Sequence, residues 1–433
     1  MATHALRSRK KQTPRESGGG LSFRMLALVL LTTAVACVSV LALRLRHAPA
    51  LPWVQLIPFG LYAASLPLVW VWLRVSGYRG DGVIPAAALL LAGLGIVMQF
   101  RMGADVGPRP WSTVWLAYPL GVSGFLAVIG FLGKQRVAVL SRVGWLCYLL
   151  AVGVLVAMMV WGRRYRGGVY MPGNLNPSEV VKPLLTIFLA GFFAPRTQAF
   201  SETQAGMPVP PVRDLLVLGA LWIVPMALIL RLNDLGLLAL LNGVLIVMLF
   251  ACTRRLGYLA WGAIGVAVVG FAAATVSHHA RLRFDVWRNP FADPTGHGWQ
   301  ILQSLSAMYS GGLWGSGIGA GAPHTVPIAT SDFIYAAWAE ELGLVGCALL
   351  LAVYAILFAR GWRAAAAAST PFLTGLGAGL TAALAFQTLI NVAGVTKALP
   401  LTGITLPFIS HGGSSLVICL IMAGLLAAVS DRR

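Results

Sequence analysis

Thirteen carboxylates are spread over 433 residues, few enough to ask what chemistry each could serve. Asp293 is the strongest choice. It opens the run Asp293-Pro294-Thr295-Gly296-His297-Gly298-Trp299-Gln300, where proline and glycines define a turn, and Arg281, Arg283 and Arg288 precede it closely. A carboxylate fixed in a turn can take a proton from a hydroxyl if geometry and pKa suit the task. Guanidinium groups nearby can hold a phosphorylated leaving group through paired hydrogen bonds. The competing reading is that Asp293 only caps the turn at Pro294. Residue chemistry alone favours the cap.

Four other carboxylates lie in or beside apolar runs. Glu179 and Lys182, after Asn176-Pro177-Ser178, share one helical face and can pair, with Ser178 as the expected cap. Either the pair is structural or Lys182 faces a polar cavity, and the structural reading is preferred. Asp234, in Asn233-Asp234-Leu235-Gly236, is expected to cap the helix that follows it. Glu340 and Glu341 read more readily as buried, hydrogen-bonded acids than as a proton relay. The glycines of Gly315–Gly319 lack the strand–turn–helix context of a nucleotide fingerprint. Close backbone approach to the bilayer or a ligand is the better account of them.

The elements that must position these groups are membrane spans. The chain is 58% hydrophobic and only 10% charged, too little charge to keep a domain of this size dissolved. Apolar runs near 25–43, 52–73, 83–100, 111–133, 143–161, 179–194, 214–230, 235–251, 257–276, 333–359, 372–396 and 414–430 mark the expected helices, the sixth unusually short. The expected fold is an all-α polytopic membrane protein with one long extracytoplasmic loop, 277–332. Lys134/Arg136/Arg142, Arg254/Arg255 and Arg360/Arg363 put both termini in the cytoplasm. The net charge of +19 sits in short loops against membrane lipids, without the aromatic-interleaved basic stripe that nucleic acid requires. The five cysteines lie in or at the ends of apolar runs and read as packing.

Several segments resemble the SEDS family (shape, elongation, division and sporulation), the RodA/FtsW/SpoVE-type peptidoglycan glycosyltransferases. Asn176–Lys182 is near the family's Q-P-S-E-x-x-K, Asn233–Gly236 near Q-P-D-L-G, and Asp293–Gln300 near D-P-x-G-x-G-Y-Q. Ser331-Asp332-Phe333-Ile334 and Glu340–Gly343 match T-D-F-I and E-E-L-G, and Leu406–Ser415 is near L-P-F-x-S-Y-G-G-S-S. Trp299 and His411 stand where the pattern has Tyr, and Asn176 and Asn233 where it has Gln and Pro. Six motifs in family order are a far stronger signal than any one of them.

The resemblance implies a division into a basic cytoplasmic tail (1–24), two additional helices (25–82) and a ten-helix SEDS core (83–433). It implies polymerisation of lipid II, the undecaprenyl-pyrophosphate disaccharide-peptide, on the outer face of the bacterial cytoplasmic membrane. Asp293 aligns with the family's loop aspartate and would assist deprotonation of the acceptor hydroxyl. Glu179, Lys182, Arg281, Arg283, Arg288, Gln300, Asp332, Lys397, Ser410 and His411 are the expected substrate-binding residues. No cofactor is called for, although a divalent cation (Mg2+ or Mn2+) is a candidate for offsetting the pyrophosphate charge. The implied partner is a class B penicillin-binding protein, a transpeptidase. The neighbourhoods of Val395-Thr396-Lys397 and Asp285-Val286-Trp287 lean toward the RodA branch, with division and sporulation open. A lipid II flippase and a non-catalytic scaffold are the rival readings.

Overall fold

Backbone polar groups in lipid need internal partners, and a helix supplies them within a single segment. The computed structural model describes residues 22–47, 57–106, 109–133, 136–165, 168–171, 176–204, 207–208, 210–276 and 278–431, and these are largely helical. The first helices are α1 (Phe23–His47), α2 (Ile57–Val75), α3 (Val83–Val106), α4 (Arg109–Leu132) and α5 (Gly144–Trp161). Then come α6 (Ser178–Phe193), α7 (Thr197–Ser201), α8 (Val212–Arg231), α9 (Leu235–Thr253) and α10 (Gly257–Val276). The last five are α11 (His278–Arg288), α12 (Trp299–Gly311), α13 (Ile334–Ala366), α14 (Pro371–Val395) and α15 (Gly413–Ser430). The basic residues Arg7 to Arg15 and Lys134 lie outside the described residues.

Nine helices among the described residues are long and apolar enough to cross a membrane. Shorter apolar stretches, Met25–Val38, Leu116–Leu132 and Gly257–Val266, fall within α1, α4 and α10. Every expected span thus overlaps a helix. The sixth is longer than its apolar run: helical turns continue through Ser201. Arg196 makes this tolerable by stacking over the Phe192 ring at 4.3 Å and pairing with Asp214 at 3.1 Å. Two short antiparallel hairpins, β1 (Arg163–Tyr165) with β2 (Gly168–Tyr170) and β3 (Thr203–Gln204) with β4 (Met207–Pro208), were not anticipated.

The core gathers around α3, α14 and α15, which are buried over most of their length. Small residues let these helices approach closely, as is usual where lipid offers no hydrophobic drive between spans. A Cβ added to Gly121 of α4 would lie 2.6 Å from Leu420 Cδ1 of α15, and one on Gly379 of α14 would meet both Met248 and Thr186 at 2.6 Å. The segment between α14 and α15 packs into this core, with Gly95 of α3 directly against the Phe408 carbonyl.

One local expectation needs correction, and one contact is new. Ser178 does not cap α6. Pro177 holds the cap position, and the Ser178 N–H and hydroxyl both donate to the Asn176 side-chain oxygen, at 3.2 and 2.6 Å. The glycine-rich stretch after α12 packs its backbone against α13, a contact the sequence did not name. That helix breaks at Gly343 (φ 65°, ψ −169°). The Ser316 and Gly317 N–H groups donate to the Glu340 and Glu341 carbonyls, both at 2.9 Å, while Leu344 and Val345 donate back to Gly312 and Leu313. A Cβ on Gly315 would fall 2.2 Å from the Glu341 oxygen, so the exchange needs glycine there.

The same stretch buries the paired acids. Arg101 Nε donates to Glu341 Oε1 at 2.8 Å, and its Nη2 donates to the Gly319 and Gly321 carbonyls. Gly319 N–H donates to Glu341 Oε2, and Ala322 N–H to Glu340 Oε1 at 2.9 Å. Glu340 and Glu341 are therefore the buried, hydrogen-bonded acids preferred above, with Arg101 as the countercharge the sequence did not reveal.

Candidate active site

Arg283 and Trp287 are one turn apart on α11 and so share a face. Both reach the segment after α14: Arg283 Nη1 donates to the Leu401 carbonyl at 2.6 Å, and Trp287 Nε1 to the Lys397 carbonyl at 3.1 Å. On α12 the Ser304 hydroxyl donates to the Val395 carbonyl at 3.1 Å. Helices α11 and α12 are thereby hung from the end of α14 and the segment after it.

Asp293 sits in the turn between them, after the single 3-10 turn Pro290–Ala292, and is exposed. Its Oδ1 accepts from Gly296 N–H at 3.0 Å, its Oδ2 from His297 N–H at 2.8 Å, and its carbonyl from Gly298 N–H at 2.9 Å. The cap expected of this residue is built. It does not exhaust the group, because a carboxylate has about four lone-pair sites and two are used here.

Beside the turn is a cavity of ≈ 180 Å³ lined by Leu282, Arg283, Val286, Trp287, His297, Gln300, Ile301 and Leu401. Typical ligand pockets span roughly 300–1,000 Å³, so this one encloses only part of a large substrate. It combines an apolar wall and an indole with a few polar groups.

Arg283 connects the cavity to a polar cluster reaching into the spans. Burial lowers its pKa, opposed by the charges of Asp234 and Asp332. Gly403 lies against both Asp332 and Arg283. Asp234 caps α9, as expected, by accepting from Leu237 N–H at 2.9 Å, and burial raises its pKa against that bond and against Lys182 and Arg283. Asn391 on α14 donates to the Asp332 carbonyl at 2.9 Å and to Ile404 at 2.7 Å. One turn earlier, the buried Gln387 accepts from Lys182 Nζ at 2.6 Å and donates to the Thr405 carbonyl at 3.1 Å. Lys182, also buried, pairs with Glu179.

The predicted residues thus fall into groups. Glu179, Lys182, Arg283 and Asp332 come together, and Gln300 lines the cavity. Arg281 and Arg288 are exposed elsewhere on α11, Arg281 Nη2 donating to the Thr275 carbonyl at 2.7 Å. Lys397 ends α14 in the left-handed region at φ 60°. Ser410 is a brace, its hydroxyl donating to the Ser331 carbonyl at 2.6 Å and accepting from Leu406 N–H at 2.8 Å. His411 N–H donates to Thr330 at 2.7 Å, reinforcing the same join. Gln387 and Asn391 were missed. The available signal was their spacing of four inside an otherwise apolar span, where a polar group calls for a partner.

Among the described residues no set of three or more His, Cys, Asp or Glu could hold a metal ion. No catalytic step is assigned to the candidate divalent cation.

Comparison with known proteins agrees with this architecture. The RodA peptidoglycan glycosyltransferase of Mycobacterium tuberculosis is 35% identical over 428 residues, covering 94% of this chain and 89% of that protein. A probable peptidoglycan glycosyltransferase FtsW of Geobacter sulfurreducens is 32% identical over 370 residues, covering 82% and 96%. A solved chain from a peptidoglycan synthase complex that coordinates polymerization and crosslinking superposes with a TM-score of 0.65 at 25% identity, covering 81% of this chain and 97% of that one. Residues 83–433 match the cell cycle protein family of FtsW, RodA and SpoVE. With that match spanning most of the chain, and with these relatives, the protein belongs to the SEDS family.

Proposed function

We infer that this chain is a peptidoglycan glycosyltransferase of cell-wall synthesis that polymerises lipid II at the outer face of the bacterial membrane, with Asp293 as the base. The observation that carries the reading is the placement of Asp293. Its carboxylate is held by two backbone N–H groups at the edge of a cavity that Arg283 and Gln300 line. In the proposed reaction Asp293 takes the proton from the acceptor GlcNAc 4-hydroxyl. The oxygen attacks the donor MurNAc anomeric carbon, the bond to pyrophosphate breaks, and the configuration inverts. Such a base contributes roughly 10²–10⁴-fold.

The other residues divide the remaining work. Arg281, Arg288 and Lys397 offset charge on the departing lipid pyrophosphate. Arg283 lines the cavity, Glu179, Lys182 and Asp332 belong to the polar cluster behind it, and Ser410 and His411 hold the 330–332 turn in place. We further propose twelve spans, the nine long helices plus the three shorter apolar ones, with both termini in the cytoplasm. In this scheme α1 and α2 are additions to a ten-helix core. A class B penicillin-binding protein supplies crosslinking as a separate chain, and the Lys397 and Trp287 neighbourhoods favour an elongation role. Purified protein incubated with labelled lipid II, with and without that partner, tests the reading. Glycan chains are expected. Lipid movement between leaflets without new glycosidic bonds would favour a flippase, and no reaction in any partner context a scaffold.

A further inference from the structure

The turn that carries Asp293 leaves one side chain between it and the cavity. Gly296 and Gly298 flank His297, and neither can carry a side chain: a Cβ would lie 2.3 Å from the Asp293 carboxylate at Gly296 and 2.0 Å from the Pro290 carbonyl at Gly298. Pro294 and Thr295 do not line the cavity; His297 does, together with Trp287 and Gln300. Its backbone is fixed at the same time, because His297 N–H is one of the two donors that hold Asp293.

The charge balance says what the cavity receives. Arg283 is its one guanidinium, but Asp234 and Asp332 both act on that charge, and one of its nitrogens is committed to the Leu401 carbonyl. An arginine whose charge two carboxylates already engage is a weak attractant for pyrophosphate. The walls otherwise offer Leu282, Val286, Ile301 and an indole, with an imidazole and an amide as hydrogen-bonding groups. An apolar face with a few groups able to donate and accept suits a neutral, hydroxyl-bearing ring.

We propose that this cavity is the sugar subsite next to the base and that His297 is a substrate-contacting residue in it, hydrogen-bonding the hydroxyls of the saccharide whose neighbouring hydroxyl Asp293 deprotonates. The assignment rests on the glycosyltransferase reading above. The pyrophosphate would then be met by the exposed Arg288 and by Lys397, outside this cavity.

The test is steady-state polymerisation of labelled lipid II by the full-length protein carrying His297→Ala or His297→Gln, with Asp293→Ala as the reference. His297→Ala should raise KM for lipid II at least fivefold while kcat changes less than twofold, and His297→Gln, which still donates and accepts, should recover most of the loss. Thermal melts matching wild type exclude a folding defect; if His297→Ala does not fold, His297→Gln against His297→Leu makes the same comparison. Wild-type KM in the His297→Ala and His297→Leu variants overturns the proposal while leaving Asp293 as base, provided Asp293→Ala is inactive. Full activity in Asp293→Ala removes the reading beneath it instead.

Discussion

Lys182 and Gln387 meet at 2.6 Å inside the helical core, the ammonium donating to the amide oxygen from the adjoining α6. Glu179 satisfies the lysine from one side and Gln387 from the other, while Gln387 donates to Thr405 and so fixes the segment that receives Arg283. A buried charge costs several kcal/mol unless it is paired and hydrogen-bonded, and the arrangement here supplies both.

Glu179→Gln should be worse than it looks on paper. It leaves the Lys182 charge buried with an amide on either side, and breaking a buried pair in this way costs about 3–5 kcal/mol. The double variant Glu179→Gln with Lys182→Met should regain much of that loss. Thermal unfolding in detergent of the two single variants and the double reads the coupling directly.

Arg101→Ala should loosen the glycine-rich stretch without touching the cavity side chains. The carboxylate of Glu341 would lose its countercharge, and the Gly319 and Gly321 carbonyls a shared donor. Faster hydrogen exchange is expected at the Ser316, Gly317 and Gly319 amides, which are bonded to Glu340 and Glu341. Unchanged protection at those amides would contradict the described join.

Asp234→Asn and Asp234→Ala should diverge. Asparagine caps a helix about as well as aspartate, whereas alanine loses about 1 kcal/mol. Burial raises the Asp234 pKa, so protonation favours the folded state, and the stabilisation it brings is lost as pH rises through that raised value. Asp234→Asn should therefore gain most over wild type at alkaline pH, the gain fading as pH falls. Melting curves across pH would show it.

Lys397 separates backbone from charge. Its left-handed φ of 60° is uncommon for a residue with a Cβ, so Lys397→Gly should fold at least as well as Lys397→Ala. If the ammonium offsets pyrophosphate charge, both variants should lose polymerisation to a similar degree. Lys397→Arg should keep it.

What the sequence made legible was local. Apolar runs located the helices because lipid enforces length, and the Asp234 cap and the Glu179–Lys182 pair followed from spacings within one turn. Gln387, Asn391 and Arg101 were not legible as partners because each acts across a long separation: Arg101 and Glu341 are 240 residues apart, and Lys182 and Gln387 are 205. The glycines of 311–319 showed that something came close, not what. Only the break at Gly343 reveals that α13 exchanges hydrogen bonds with them. The continuation of helical turns from α6 into α7 has a similar origin, since Arg196 between them stacks on Phe192 and pairs with Asp214, one local and one distant.

The central claim is that Asp293 is a base as well as a cap, and Asp293→Asn tests it most directly. The amide oxygen can still accept one of the two backbone N–H bonds, so the turn should hold, but the amide cannot take a proton. Initial rates of labelled lipid II polymerisation, measured on protein whose melting temperature matches wild type, should fall by roughly 10²-fold or more. An Asp293→Asn protein that polymerises lipid II within twofold of wild type would leave Asp293 as a turn cap alone.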